Sequence, residues 1–82
     1  MATPTEGVTR IITGILGVEE SRVTDDADLM DDLGADSLDY IDVQMECEDE
    51  FGIQITEDEV DGVRTVADLI QLVEKKIDAP AT

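Results

Sequence analysis

An 82-residue chain has room for one small domain and not for a deep, walled cleft. Its 22 acidic residues against 5 basic ones leave a net charge of −17, with no histidine, which disfavours nucleic acid and anionic membranes and points to a basic protein partner met by steered encounter. A single cysteine excludes an internal disulfide or a cysteine-based zinc site, and neither a signal-peptide core nor an apolar run of membrane-spanning length is present.

The first helix is predicted to open at Thr3-Pro4-Thr5-Glu6, with Thr3 as cap, Pro4 at the first helical position and Glu6 completing a capping box. Val8, Ile11, Ile12, Ile15 and Leu16 then follow the i, i+3, i+4 rule of a one-faced helix, which Gly17 ends. Residues 18–35 hold no sustained period. Val23, Leu29, Met30 and Leu33 are apolar anchors in an acidic loop that delivers the chain to Gly34-Ala35-Asp36. A second helix is predicted from Ser37 to Phe51, capped by Asp36 and stopped by Gly52.

Ile53, Gln54 and Ile55 form a short bridge to a capping box, Thr56 to Glu59, which opens a short helix reaching Val60–Val63. Thr65 to Asp68 opens the last helix, with Val66, Leu69, Ile70, Val73 and Ile77 as its apolar face and Lys75 and Lys76 suiting its C-terminal dipole. The tail from Asp78 to Thr82 is expected to fray. The expectation is an all-α fold in a single domain, 1–82. It is a small antiparallel bundle of three main helices and one short one, with a long loop between the first two. Few aromatics and high charge can signal disorder. Here, however, 41% of the residues are hydrophobic and they are periodic, which favours folding with a stability that rises with salt.

The second helix carries two apolar stripes, Val43, Cys47 and Phe51 with Tyr40, and Leu38, Ile41 and Met45, roughly 145° apart. A bundle this small buries one stripe easily and not both. The second adjoins Ser37 and is interleaved with Asp36, Asp39, Asp42, Glu46, Glu48 and Asp49. Exposed, it is a docking strip for a groove rimmed by Lys and Arg; buried, it packs on Leu29, Met30 and Leu33 of the loop.

Ser37 has no imidazole to activate it, which argues against a catalytic nucleophile and for a hydroxyl that another enzyme modifies. An anionic group attached there gains from the helix N-terminus, against the charges of Asp36 and Asp39. The alternative is an ordinary first-turn serine. Cys47 reads as an inert core cysteine, since neighbouring carboxylates raise a thiol pKa. Asp25, Asp26, Asp28, Asp31 and Asp32 match no twelve-residue calcium loop and read as solvated charge and partner surface. No dedicated metal site is expected.

The run Asp32-Leu33-Gly34-Ala35-Asp36-Ser37-Leu38-Asp39 resembles the modification site of acyl carrier proteins. Leu16-Gly17-Val18, Val23-Thr24, Glu50-Phe51-Gly52-Ile53, Ile55 and Thr65-Val66 extend the resemblance over nearly the whole chain. It implies a non-catalytic carrier. Ser37, flanked by Asp36 and Leu38, would take a 4′-phosphopantetheine arm from coenzyme A through a phosphopantetheinyl transferase and carry acyl groups as thioesters. Asp36, Leu38, Asp39, Ile41, Asp42, Met45, Glu46, Glu48 and Asp49 would form the recognition helix for acyl-transferring or synthase enzymes. A free-standing cytoplasmic monomer serving fatty-acid or related lipid biosynthesis is the expectation. The rivals are a specialised carrier of polyketide or aminoacyl intermediates and an unmodified acidic adaptor. The chain departs from the fatty-acid carriers at Val43 and Cys47, where larger leucines are usual, at Tyr40, where a smaller residue is, and at Gln44, where an aliphatic one is. The cavity that shelters an acyl chain in the family is therefore expected to differ in depth or polarity.

Overall fold

The computed structural model describes residues 3–78. Its elements are α1 (Pro4–Leu16), a single 3-10 turn (Glu20–Arg22), α2 (Ser37–Phe51), α3 (Glu57–Asp61) and α4 (Val66–Asp78). The all-α reading holds, with three long helices and one short one. Of the tail expected to fray, Asp78 closes α4, and residues 79–82 lie outside the described residues. No helix among the described residues is long and apolar enough to cross a membrane.

Local chemistry sets each boundary. Thr3 Oγ1 accepts the Glu6 N–H at 3.1 Å and donates to the Glu6 carboxylate at 3.3 Å, so the return half of the expected box runs through the hydroxyl. Asp36 and Asp39 form a reciprocal capping box at the start of α2, as Thr56 and Glu59 do at α3. At α4 the Thr65 hydroxyl accepts from the Asp68 N–H while the Asp68 carboxylate accepts from the Thr65 and Arg64 N–H groups. Gly17 and Gly52 end α1 and α2 in the left-handed conformation, where a Cβ would be strained.

α1 packs on α2 and α4. Val8 and Ile12 of α1, Val43 and Cys47 of α2, and Val66, Leu69, Ile70 and Val73 of α4 meet in the core. Ile77, assigned to the core face of α4 by its period, is 41% exposed. Lys76 is not simply dipole complement, since its Nζ lies 2.7 Å from a Glu59 carboxylate oxygen and ties α4 to α3.

The long loop is part of the core and not a solvent arc. Ala27, Leu29, Leu33 and Ala35 are buried. Its backbone clasps the α3–α4 connection: the Leu29 N–H donates to Arg64 O, Val66 N–H to Ala27 O and Ala67 N–H to Asp25 O, around an antiparallel bridge between Asp28 and Thr65. Two of the loop's acidic residues, Asp28 and Asp32, also do more than the solvated charge expected of them, while Asp25, Asp26 and Asp31 are exposed. The Asp28 carboxylate accepts from the Met30 and Asp31 N–H groups, and Asp32 accepts from the Asp28 N–H at 2.7 Å. These are turn-forming bonds of the kind short acidic side chains supply. Arg64 lies 3.5 Å from Asp28, which joins the backbone donors in holding its carboxyl below the usual range.

Candidate functional site

Ser37 is the first residue of α2 and is exposed. Four bonds fix its approach. Gly34 N–H donates to Met30 O, Ala35 N–H to Leu29 O, and the box between Asp36 and Asp39 closes over the helix start. The cap is made entirely by its neighbours. Among the described residues no hydrogen bond engages the Ser37 hydroxyl, so it stands free on a rigid mount.

Two apolar stripes do diverge on α2. Leu38, Ile41 and Met45 are 70%, 50% and 57% exposed, while Val43 and Cys47 are buried and Phe51 is half-buried. The outer stripe does not pack on the loop. Leu29 and Leu33 turn into the core, and Met30 faces outward. Asp36, Asp42, Glu46 and Asp49 flank the outer stripe and are exposed. Asp39 and Glu48 are half-buried and occupied, Asp39 on the Asp36 N–H and Glu48 on the Ile55 N–H at 2.9 Å. The outer face is thus an apolar strip with four exposed carboxylates along it. Cys47 is sealed in the core, where burial, with Glu46, Glu48 and Glu50 adding, pushes its thiol up to about 12.

A groove of about 440 Å³ opens beside Ser37, walled by Ile41, Tyr40 and Gln44 of α2 and by Val60 and Asp61 of α3. Arg64 and Glu57 also reach it. Sequence reasoning placed none of the α3 or Arg64 residues here, because the loop clasp that brings them to Ser37 leaves no period in the sequence. Tyr40 donates its hydroxyl to Val63 O at 3.0 Å, and Gln44 donates its amide to Ile55 O at 2.8 Å. Burial, aided by the nearby Asp28 carboxylate, pushes the Tyr40 hydroxyl above its ordinary value, so it stays a donor at neutral pH. Tyr40 thus both packs at the rim and bonds at the groove's mouth.

A free hydroxyl on a helix N-terminus, at the edge of an open groove and next to an apolar strip, suits a covalently tethered arm better than a nucleophile. The phosphopantetheine attachment site family matches residues 6–73. An acyl carrier protein of Thermotoga maritima is 47% identical over 70 residues, which cover 85% of this chain and 86% of that protein. A solved chain described as an acyl carrier protein from Mycobacterium tuberculosis superposes with a TM-score of 0.83 at 33% identity, covering 88% of this chain and 96% of its own. The chain belongs to the acyl carrier protein family, whose members act as carriers and not as catalysts. With that family comes a phosphopantetheine prosthetic group.

Proposed function

We propose that the chain is a single carrier domain whose attachment point is Ser37 and whose cargo travels as a thioester. The observation that carries the reading is the free, exposed Ser37 hydroxyl at the mouth of the groove, on the first residue of the helix that also displays the apolar strip. When bound, the phosphopantetheine group supplies a terminal thiol. The residues of the chain do the rest. Ser37 anchors, and the box between Asp36 and Asp39 fixes the helix start. The start of α2 would favour the phosphodiester through its partial positive charge, although the Asp39 N–H is already taken by the Asp36 carboxylate. Asp36 and Leu38 flank the anchor and are read by the transferase.

Partner enzymes are proposed to dock on Leu38, Ile41 and Met45, guided by Asp36, Asp39, Asp42, Glu46, Glu48 and Asp49 toward basic surfaces. Unlike charges speed such encounters and apolar contact holds them. A cytoplasmic monomer fits this role. The net acidity supports service in fatty-acid or related lipid biosynthesis. A second reading, carriage of polyketide or aminoacyl intermediates, is favoured by the polar wall that Tyr40 and Gln44 give the groove.

The test is intact mass before and after incubation with coenzyme A and a broad-specificity phosphopantetheinyl transferase, with Ser37→Ala as control. The expected result is a gain of one phosphopantetheinyl group, absent from the variant. No gain from a chain shown to be unmodified at the start, with an enzyme active on another carrier, would leave an acidic adaptor.

A further inference from the structure

Adjoining the groove is a second space, a partly open apolar void of about 10 Å³ between α2, α3 and α4, bordered by Leu29, Val43 and Leu69. Groove and void share four wall residues, Tyr40, Gln44, Val60 and Val63. These four are the partition between the outside and the core. A void of this size holds about one water-sized probe and no alkyl chain. A cargo enters the interior only if the partition moves.

The moving part is identifiable. α3 is five residues long and contributes no buried residue, although Val60 is half-buried. α3 is held from both ends by polar bonds from α2. At its leading end the Gln44 amide donates to Ile55 O, and the Glu48 carboxylate accepts the Ile55 N–H. At its trailing end the Tyr40 hydroxyl donates to Val63 O. Lifting α3 away from α2 breaks these bonds and leaves half-buried carbonyls facing an apolar cargo, which cannot replace them.

Resting on the carrier reading above, we propose that Tyr40 and Gln44 form a polar latch that keeps the core closed to the cargo. The acyl group then lies in the outer groove, and the chain carries short or polar acyl groups in preference to long alkyl chains. Of the two cargo readings, this takes the specialised one. The groove's own chemistry agrees. Its walls mix the apolar Ile41 and Val60 with Tyr40, Gln44 and the acidic Glu57 and Asp61, a lining that accepts a polar chain and gains less from a saturated one than an all-apolar wall would.

The experiment loads the protein at Ser37 with acetyl, butyryl, octanoyl and 3-hydroxyoctanoyl phosphopantetheine, using the corresponding acyl-coenzyme A and a broad-specificity transferase. Two readouts follow, the melting temperature and the rate of thioester cleavage by hydroxylamine. In the wild-type chain, octanoyl is expected to cleave within about twofold of butyryl and to leave the melting temperature unchanged. In Tyr40→Phe/Gln44→Leu, octanoyl is expected to cleave at least about fivefold more slowly and to melt several degrees higher than butyryl. Strong, length-dependent protection of octanoyl in the wild-type chain would overturn the latch, whatever the double variant does. Failure to load at Ser37 would instead overturn the carrier reading, and the latch with it.

Discussion

Gly7 and Gly14 both lie inside α1, yet their surroundings oppose each other. A Cβ on Gly7 would stand 2.5 Å from Phe51 Cζ and 2.9 Å from Cε1, while one on Gly14 meets nothing within 4 Å. Helix propensity favours alanine over glycine by about 1 kcal/mol at either place. At Gly14 that gain stands alone. At Gly7 it is opposed by displacement of a rigid ring in a packed interface, which costs about 1–3 kcal/mol. Gly14→Ala is therefore expected to stabilise by about 0.5–1 kcal/mol and Gly7→Ala to destabilise by about 1 kcal/mol, read from urea unfolding of both variants. Equal shifts of the same sign would mean that Phe51 moves aside freely. The close approach of Gly7 to the ring had no sequence signal. A glycine at the second turn of an amphipathic helix reads only as a weak point.

At the scale of the element, α2 tests the assignment of its two faces. Leu38→Ala and Ile41→Ala remove exposed side chains and are expected to change stability by less than about 0.5 kcal/mol. Val43→Ala opens a core cavity and is expected to cost about 1–3 kcal/mol. Turnover with a partner enzyme is expected to fall for the first pair, and a loss of stability there would place that face in the core. α3 and α4 give a pH signature. The Lys76 ammonium and the Thr56 backbone hold the Glu59 carboxyl down to about 2, from an ordinary value of 4.5. A lowered pKa gives stability that is complete above 4.5 and is lost as pH falls from there through about 2. The acid limb of stability is expected to flatten in that window in Lys76→Met, measured by thermal melting at a series of pH values. An unchanged limb would mean that the ion pair contributes nothing.

The helices and their caps were legible in the sequence because each boundary is a local device. Asp36, Gly52 and the box from Thr56 to Glu59 sit where the residue types put them. The two faces of α2 were legible from period, and which one is exposed followed from its place beside Ser37. The loop was not legible. Its bonds join residues 25–29 to residues 64–67, and pairing at such separation has no periodic trace. The groove inherits that gap, because half of its wall arrives through the loop's clasp.

For the whole molecule, the charge of −17 opposes every compaction the core rewards. Among the described residues two ion pairs offset it, Arg64 with Asp28 and Lys76 with Glu59, and the remaining carboxylates repel. Raising sodium chloride from low millimolar to about 0.5 M shortens the screening length to a few ångströms. The melting temperature is expected to rise by about 5 °C or more, equivalent to about 1 kcal/mol in a domain of this size. A flat response would mean that repulsion is no main component of the balance. The same acidity leaves few cations for a protease that requires one.

Trypsin has five sites here, Arg10, Arg22, Arg64, Lys75 and Lys76. Four lie inside helical turns. The fifth, Arg64, is exposed, but its peptide unit is threaded into the loop's clasp, with its carbonyl taken by the Leu29 N–H and its own N–H given to Asp68. A protease needs an extended, unpaired stretch to cut. Cleavage after Arg64 therefore waits for the clasp to part, and its rate becomes a clock for that opening.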